Sequence, residues 1–290
     1  MACFHLGGQH ILNAMPVIPP ADQPGRSYIS SGELDLTPAD LRALFESKYG
    51  SDLSATGWGP RIRSRFRYFT PEDHYEALVS KLITRSSAWL DVGCGRNVFP
   101  SNRPLAQALA DRCRVLVGVD PDDTIKENTV VHQRVQRSIV DFDSVERFDV
   151  VTLRMVAEHV TEPDGTVATL SRVTKVGGVV VVYTINRWSP VSLITWLAPF
   201  RLHHPIKRLL WQTEERDTFP VAYRMNTRST LQQLFGRHGF REAHFAYLDD
   251  CRTLQRYRAT LVLELGLWSC LQTFGITYPE NCLLGVYERV

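Results

Sequence analysis

Two apolar segments of this chain each end in an aspartate. Two glycines lie within four residues of the first aspartate. The first segment reaches Asp91 and breaks at Gly93 and Gly95, and the second ends at Asp120. Glycine tolerates positive φ and lets a ligand approach the backbone closely, so it suits a tight loop after a buried strand. A glycine loop followed by an acid at the tip of the next strand is how doubly wound α/β proteins bind an adenosine ribose. The pattern therefore predicts a cofactor that contains a nucleoside.

The spacing of further apolar segments predicts a sheet covered by helices on both faces. Strands that are apolar throughout and separated by crossovers are typical of such parallel sheets. The predicted strands are 88–92, 115–120, 129–134, 149–154, 178–184, 240–248 and 282–287. The predicted fold class is therefore α/β, doubly wound and Rossmann-like.

Helix start signals occur twice before the first predicted strand. Thr37 and Thr70 are each followed by a proline and, three residues on, by an aspartate. These signals predict helices that end near Gly50 and at about Ile83, with a basic and aromatic connection over 61–69 between them. Further helices are predicted from about Leu105, over 226–238 and over roughly 251–274.

The length of 290 residues leaves room for one large α/β domain with extensions or for two small domains. Residues 1–34 are rich in Pro, Gly and Ser and are predicted to form a flexible N-terminal arm. Residues 35–84 are predicted to form a helical N-terminal cap. Residues 85–290 form the main domain, which is interrupted by an insertion at about 186–225.

Two cofactor classes compete for the glycine loop. A dinucleotide fingerprint needs a third glycine at position 98, where this chain has Val98, and a helix that begins directly at the loop. Residues 97–104 intervene here before the helix predicted from about Leu105. A pyrophosphate is therefore less well placed at a helix N-terminus, which disfavours NAD.

Four segments, in order, resemble the motifs of the class I S-adenosylmethionine-dependent methyltransferases, the superfamily that includes the ubiquinone-pathway O-methyltransferases. They are 91–95 (DVGCG), 119–121 (VDP), 148–151 (FDVV) and 176–178 (VGG). The resemblance implies S-adenosylmethionine as the cofactor and a seven-stranded sheet whose last strand is antiparallel. It also implies methyl transfer to a hydroxyl of a small molecule, a lipid-linked compound or a glycan. A non-catalytic nucleotide-binding module and an NAD-dependent oxidoreductase are the alternatives.

The resemblance also implies cofactor-binding roles at six positions: Asp91, Gly93, Gly95, Asp120, Ile139 and Arg154. The first motif would hold the methionine end of the cofactor, and the acid of the second would accept from both ribose hydroxyls. Backbone contacts at Ile139 would line the adenine pocket, with Asp141 as the alternative. The backbone of Arg154 would lie beside the cofactor.

A Glu-His pair follows the fourth predicted strand, as it does in the ubiquinone-pathway relatives. His159 is the preferred general base because histidine titrates near neutral pH, and the alternative is that it caps or orients the local helix. Glu158 either balances charge near the sulfonium or accepts hydrogen bonds. Those relatives carry another Glu where this chain has Met155, so no metal site is predicted. Cys94 is interpreted as a small residue that fits the loop rather than as a nucleophile.

Aromatic and basic residues alternate over 188–211, within the insertion. One interpretation is a lid in peripheral contact with a membrane or a lipid-like substrate, since such segments bind interfaces. The other is a helical cap that packs on the sheet and builds the substrate pocket. The net charge of +2 argues against a nucleic-acid substrate.

The cellular location is predicted from the cysteines and from the absence of targeting signals. Six scattered cysteines without C-x-x-C spacing fit a reducing compartment. Residues 1–20 lack the basic and apolar regions of a signal peptide. Glu264 interrupts the most apolar segment, 261–271, so no membrane span is expected. A cytoplasmic protein is predicted.

Overall fold

A seven-stranded sheet forms the centre of the computed structural model, which describes residues 34–190, 221–251 and 257–290. The strands are β1 Ala88–Val92, β2 Val115–Asp120, β3 Gln133–Gln136, β4 Phe148–Arg154, β5 Thr174–Ile185, β6 Phe240–Asp249 and β7 Glu280–Arg289. Their order across the sheet is β3-β2-β1-β4-β5-β7-β6. The first five strands are mutually parallel, and β7 runs antiparallel between β5 and β6. The predicted fold, including its antiparallel last strand, is confirmed.

Helices cover both faces of this sheet. They are α1 Pro38–Tyr49, α2 Trp58–Arg65, α3 Pro71–Leu82, α4 Arg103–Arg112, α5 Pro163–Val173, α6 Arg228–Arg237 and α7 Arg258–Thr273. The buried residues of α1, α3 and α4 pack with Trp89 and Tyr183 on one face. Those of α5 and α6 pack with Leu90 and Val182 on the other. Adjacent strand residues thus point to opposite faces, as a pleated sheet requires.

The first two predicted helix starts lie where the sequence places them. Thr37 and Asp40 form a reciprocal capping box at the start of α1, and Thr70 and Asp73 form another at the start of α3. Each box satisfies backbone N–H groups that a helix start leaves without partners. α3 therefore begins at a fixed point, with its first turn at the carboxyl edge of the sheet.

Two predicted boundaries are wrong for identifiable reasons. The connection predicted over 61–69 contains α2, because Ile62 and Arg63 are buried and anchor a helical turn. The third strand was predicted at 129–134 and forms at Gln133–Gln136. Asn128 Oδ1 accepts the amides of Val130 and Val131 at 3.1 and 3.3 Å, so a turn engages these backbone groups before the ladder begins.

A buried ionic network ties the N-terminal helices together. Lys48 Nζ on α1 lies 3.2 Å from Asp73 Oδ1 and 3.0 Å from Glu76 Oε2 on α3. Arg63 on α2 donates to the other oxygen of Asp73 at 3.1 Å. Asn102, which caps α4, donates to Glu76 at 2.9 Å. Removing one partner of such a network leaves a buried charge uncompensated, so the network fixes where α3 lies on the sheet.

Part of the sequence-based description falls outside the described residues. This holds for the N-terminal arm up to residue 33 and for most of the predicted insertion, 191–220. It also holds for 252–256, before α7. Within the described ranges, no helix has the length and apolar character needed to cross a bilayer.

Candidate functional site

The loop after β1 requires glycine at both predicted positions. Gly93 has φ +70° and Gly95 has φ +42°, in the left-handed region that side chains disfavour. A Cβ on Gly93 would lie 2.3 Å from Cγ2 of Val156, in the segment after β4. The Gly93 amide donates to the carbonyl of Val119 at 2.7 Å. The loop is therefore held between the ends of β2 and β4, and both glycines are partly exposed.

Asp120 lies directly beside this loop. Its Oδ2 accepts the amide of Gly95 at 2.9 Å, and its Oδ1 accepts the amide of Asp122 at 2.8 Å. The residue is 9% exposed. A carboxylate oxygen has two lone pairs, so each oxygen can accept one further hydrogen bond. Asp120 is held in one orientation, with capacity for two further hydrogen-bond donors.

Asn128 supports the loop from below, and sequence reasoning missed it. Its Nδ2 donates to the carbonyl of Gly95 at 3.0 Å, while its Oδ1 accepts two amides of the turn before β3. The side chain is completely buried. No motif or periodicity marks this position, because its partners are backbone groups that only the fold brings together.

Asp91 lies on the face of the sheet that α3 covers. It is 2% exposed and accepts the hydroxyl of Thr152 at 2.6 Å. Burial raises the pKa of Asp91 to about 7, and the hydrogen bond from Thr152 and the charge of Arg154 oppose this rise. A carboxyl with this pKa changes its charge readily near neutral pH when a cation arrives.

Tyr75 brings a second polar group to the same place. Its ring stacks on Tyr183 at 5.2 Å and meets Phe99 edge-on at 5.8 Å. Its hydroxyl is buried without a hydrogen-bond partner in the part of the chain that the structure describes. Asp91 and Arg154 both lie within electrostatic reach of it, and the Thr152 hydroxyl, which donates to Asp91, lies nearby without hydrogen-bond geometry to Tyr75. An orphaned buried hydroxyl is costly, so its position beside Asp91 fits a ligand that carries polar groups to this point.

The segment after β4 closes the site from a third side. Met155 has φ +53°, a strained value for a residue with a side chain, and its amide donates to the carbonyl of Tyr183 at 2.8 Å. Arg154 is the last residue of β4 and pairs with Tyr183 in the sheet. The sharp bend at Met155 brings Val156 against Gly93.

Glu158 and His159 are adjacent in sequence but occupy different environments. Glu158 is 2% exposed, its Oε2 accepts the hydroxyl of Thr184 at 2.7 Å, and burial raises its pKa. Its backbone carbonyl accepts the amides of Ala222 and Tyr223. Glu158 thus anchors the chain that returns from the insertion. His159 is half-buried and lies within electrostatic reach of Glu158.

The remaining candidates lie around the loop. Ile139 is buried in a short 3-10 turn in the core, and Asp141 at the end of that turn is exposed. Cys94 faces Gly118, where an added Cβ would lie 2.6 Å from its sulfur. Burial raises the pKa of Cys94, which opposes formation of a nucleophilic thiolate. Cys94 therefore fills space, as interpreted from the sequence.

Metal ligands do not cluster within the described ranges. Across 34–190, 221–251 and 257–290, no group of three His, Cys, Asp or Glu side chains is arranged to hold an ion. At the position where the sequence departs from the ubiquinone-pathway pattern, the structure places the strained Met155.

Comparison with known families decides between the cofactor classes. The sequence profile of a family described as "Methyltransferase domain" matches residues 63–244. The chain belongs to this family. Membership confirms the predicted resemblance and the S-adenosylmethionine cofactor, and it removes the basis of the NAD alternative.

The chain has curated relatives that match over part of their length. It is 33% identical over 115 residues to a ubiquinone biosynthesis O-methyltransferase of Rhodopseudomonas palustris (strain BisB18), covering 36% of this chain and 42% of that protein. It is 24% identical over 146 residues to the enzyme of the same name from Coxiella burnetii (strain Dugway 5J108-111), covering 47% and 60%. The matched part thus spans about half the length of these relatives.

Solved structures resemble the chain at low identity. Magnesium protoporphyrin IX methyltransferase from Synechocystis PCC 6803 is 12% identical, with a TM-score of 0.46, covering 85% of this chain and 93% of that one. Geranyl diphosphate C-methyltransferase from Streptomyces coelicolor A3(2) is 13% identical, with a TM-score of 0.46 and coverages of 76% and 79%. The fold assignment rests on the strand order of the sheet.

Proposed function

We propose that the protein transfers a methyl group from S-adenosylmethionine to a hydroxyl of a small-molecule, lipid-linked or glycan acceptor. The observation that carries this proposal is the hydrogen bond from the Gly95 amide to Asp120. It joins the glycine loop and the ribose acid in one rigid unit, and a protein that had lost cofactor binding would have no need of both. The curated relatives support oxygen as the acceptor atom, since their names describe O-methyltransferases.

In this proposal, different residues around the loop bind different parts of the cofactor. Asp120 accepts from the ribose hydroxyls, and the backbone at Gly93 and Gly95 lies against the methionine end. Asp91 pairs with the ammonium group, because a buried carboxyl is stabilised in its charged form by a cation. Backbone near Ile139 and Arg154 borders the adenine and the methionine ends, respectively.

The bound cofactor supplies a methyl group that its sulfonium already activates. The protein then contributes mainly alignment of the acceptor oxygen with the methyl–sulfur bond and exclusion of water. Glu158 acts as a positioning residue in this proposal, because its carboxylate is bonded to Thr184 and its carbonyl anchors residues 222–223. The sequence predicts His159 as the base, and the variant His159→Gln tests that prediction against a second histidine, His74.

For the cellular setting we propose the cytoplasm. Within the described ranges the cysteines form no disulfide, which fits a reducing compartment. The aromatic and basic segment 188–211 falls largely outside the described residues, so peripheral membrane contact stays a prediction from sequence.

Calorimetric titration with S-adenosylhomocysteine tests the cofactor, with NAD as the control ligand. We expect saturable binding of the former and none of the latter. Binding of NAD alone, or of neither ligand, would overturn the proposal. Transfer of a labelled methyl group to any acceptor in a panel of phenols, sugars and prenyl alcohols then separates an enzyme from a non-catalytic nucleotide-binding module.

A further inference from the structure

A cavity of about 400 Å³ opens at the carboxyl edge of the sheet, and its walls include no residue of the glycine loop. The start of α3, the end of β6, α7 and the start of β7 surround it. We call it the edge cavity, and its walls include Tyr68, Phe69, His74, Asp249 and Trp268. None of these residues was singled out as a site residue from the sequence.

The edge cavity lies at the same edge of the sheet as the proposed cofactor site, the edge formed by the carboxyl ends of the parallel strands. Ile185 at the carboxyl end of β5 pairs with Cys282 of β7, and Leu248 of β6 pairs with Cys282 as well. Two consecutive residues of α3 contact the two sites. His74 lines the edge cavity, and Tyr75 interacts electrostatically with Asp91 in the proposed cofactor site. One helix therefore connects the cavity to the methionine end of the proposed cofactor site.

The aromatic wall of the cavity is held rigidly. The rings of Tyr68 and Trp268 meet edge-to-face with centroids 5.1 Å apart. The Tyr68 hydroxyl donates to the carbonyl of Asp249 at 3.0 Å and accepts the amide of Cys251 at 2.8 Å. The Trp268 indole donates to Asp249 Oδ2 at 2.9 Å. Aromatic surfaces fixed in this way favour a flat, apolar ring between or against them.

His74 is arranged as a proton acceptor. Its Nδ1 lies 3.0 Å from the carbonyl of Thr70, and because a carbonyl only accepts, Nδ1 must donate. In the neutral ring the lone pair is then on Nε2. Burial lowers the pKa of His74, which keeps the ring neutral at physiological pH. The capping box of α3 fixes the backbone that carries it.

Asp249 provides a negative charge that favours the protonated form of His74. Its Oδ2 also accepts from Gln272 at 3.1 Å, and it interacts electrostatically with His74. The other charged groups near the ring are Asp73, which Lys48 and Arg63 already pair, and Arg67 and Glu280 at the cavity wall. With His74 neutral, the wall carries one positive and two negative side chains, so it disfavours an anionic ligand.

We propose that the edge cavity binds the ring of a neutral phenolic acceptor and that Nε2 of His74 receives its hydroxyl proton, an inference that rests on the proposed methyl transfer. As the acceptor oxygen bonds to the methyl carbon, the methyl–sulfur bond breaks and its electron pair stays on sulfur. The proton of the hydroxyl passes to His74, and Asp249 stabilises the imidazolium that forms.

Ligand binding is tested first, by NMR titration of the full chain with 4-methylphenol. The indole N–H of Trp268, assigned with Trp268→Phe, reports on the cavity. Matched controls are 4-hydroxybenzoate, which adds a negative charge, and cyclohexanol, which removes the aromatic ring. We expect 4-methylphenol to bind at least tenfold more tightly than either control. Equal binding of all three, or no shift of the Trp268 signal, would overturn the proposed ligand class.

Proton transfer is tested by the rate of labelled methyl transfer to 4-methylphenol. His74→Gln should lower the rate about 100-fold near pH 7, the low end for a lost general base. The deficit should shrink at alkaline pH, where the phenol ionises unaided. The wild-type rate should fall as pH drops through the pKa of His74, which burial lowers from its ordinary value. His238→Gln, at the end of α6, is the matched control and should retain most of the rate, and His159→Gln measures the base predicted from sequence.

Three results would overturn the role of His74. They are wild-type turnover by His74→Gln, a loss confined to His159→Gln, and no transfer by wild-type protein that binds both ligands. Calorimetry with S-adenosylhomocysteine separates this inference from the proposed function. If the cofactor product binds and 4-methylphenol does not, the inference is wrong and the proposed function stands. If only 4-methylphenol binds, the proposed function and the role of His74 are wrong, and the assignment of the edge cavity as a binding site for phenols is supported.

Discussion

The amide of Gly95 donates to Asp120 Oδ2 at 2.9 Å, so the two motifs that mark this sequence meet in a single hydrogen bond. The same carboxylate accepts the amide of Asp122 through its other oxygen. Both bonds hold the Asp120 carboxylate in one orientation at the carboxyl end of β2. A site organised in this way loses little conformational entropy when the ligand binds.

Replacing Asp120 by Asn should weaken binding of S-adenosylhomocysteine by about 1–3 kcal/mol, the range for hydrogen bonds to a charged group. The amide has one acceptor oxygen instead of two, so it cannot serve both backbone donors and both ribose hydroxyls. Calorimetry measures the change. Asp111→Asn, at an exposed position on α4, is the control and should bind like wild type. Unchanged affinity of the Asp120 variant would refute the ribose assignment.

Gly93→Ala should destabilise the fold by about 2–3 kcal/mol, because its Cβ would overlap Val156 and its φ is positive. The double variant with Val156→Ala removes the overlap and leaves the backbone strain. We therefore expect urea unfolding of the four proteins to show a favourable coupling of at least about 0.5 kcal/mol. Additive effects would mean that the loop moves away from Val156.

The raised pKa of Asp91 predicts that both the stability of the fold and the binding of the cofactor product depend on pH. Its pKa is raised to about 7 by burial, so its contribution to stability is present below the unfolded pKa, near 3.8, and is lost as pH rises toward 7. An ammonium group that pairs with Asp91 would lower this pKa and expel the proton. Calorimetry near pH 6, in buffers of different ionisation enthalpy, should show proton release when S-adenosylhomocysteine binds. Asp91→Asn should abolish the release; an identical signal in this variant would show that another group titrates.

The parts of the fold that local chemistry dictates were predictable from sequence. Thr37 and Thr70 carry their capping partners within three residues, and the glycine loop and its acid are read from strand periodicity. The third strand was misplaced because Asn128 engages the following amides in a turn. No strand pattern announces this side-chain contact, which competes locally with the ladder.

The site was only partly predictable because several of its residues are unremarkable in sequence. Tyr75 and His74 look like ordinary positions of an amphipathic helix, and their neighbours Asp91 and Asp249 are far along the chain. Only the packing of α3 against the sheet brings them together. Similarly, nothing in the sequence indicates that Glu158 accepts from Thr184, so its anchoring role emerges from the structure.

Lys48→Met should cost about 3–5 kcal/mol of unfolding free energy, because it leaves Asp73 and Glu76 buried with less compensating charge. Lys81→Met is the matched control. Lys81 pairs with Asp40 at a similar distance, 3.1 Å, but both side chains are about one-fifth exposed, so we expect a loss of no more than about 1 kcal/mol. Urea denaturation compares the two, and equal losses would contradict the importance assigned to burial.

Tyr75→Phe should change stability and ligand affinity in opposite directions. Removing a buried hydroxyl without a partner relieves a desolvation cost, so the free protein should gain about 1 kcal/mol of stability. If that hydroxyl bonds to the methionine end of the cofactor, S-adenosylhomocysteine should bind about tenfold more weakly to the same variant. Tyr287→Phe removes another buried hydroxyl without a partner among the described residues, on the opposite face of the sheet. It should gain stability with no change in affinity. Thermal unfolding and calorimetry on both variants separate a hydroxyl retained for binding from one that merely lacks a partner, and unchanged affinity of Tyr75→Phe would remove Tyr75 from the site.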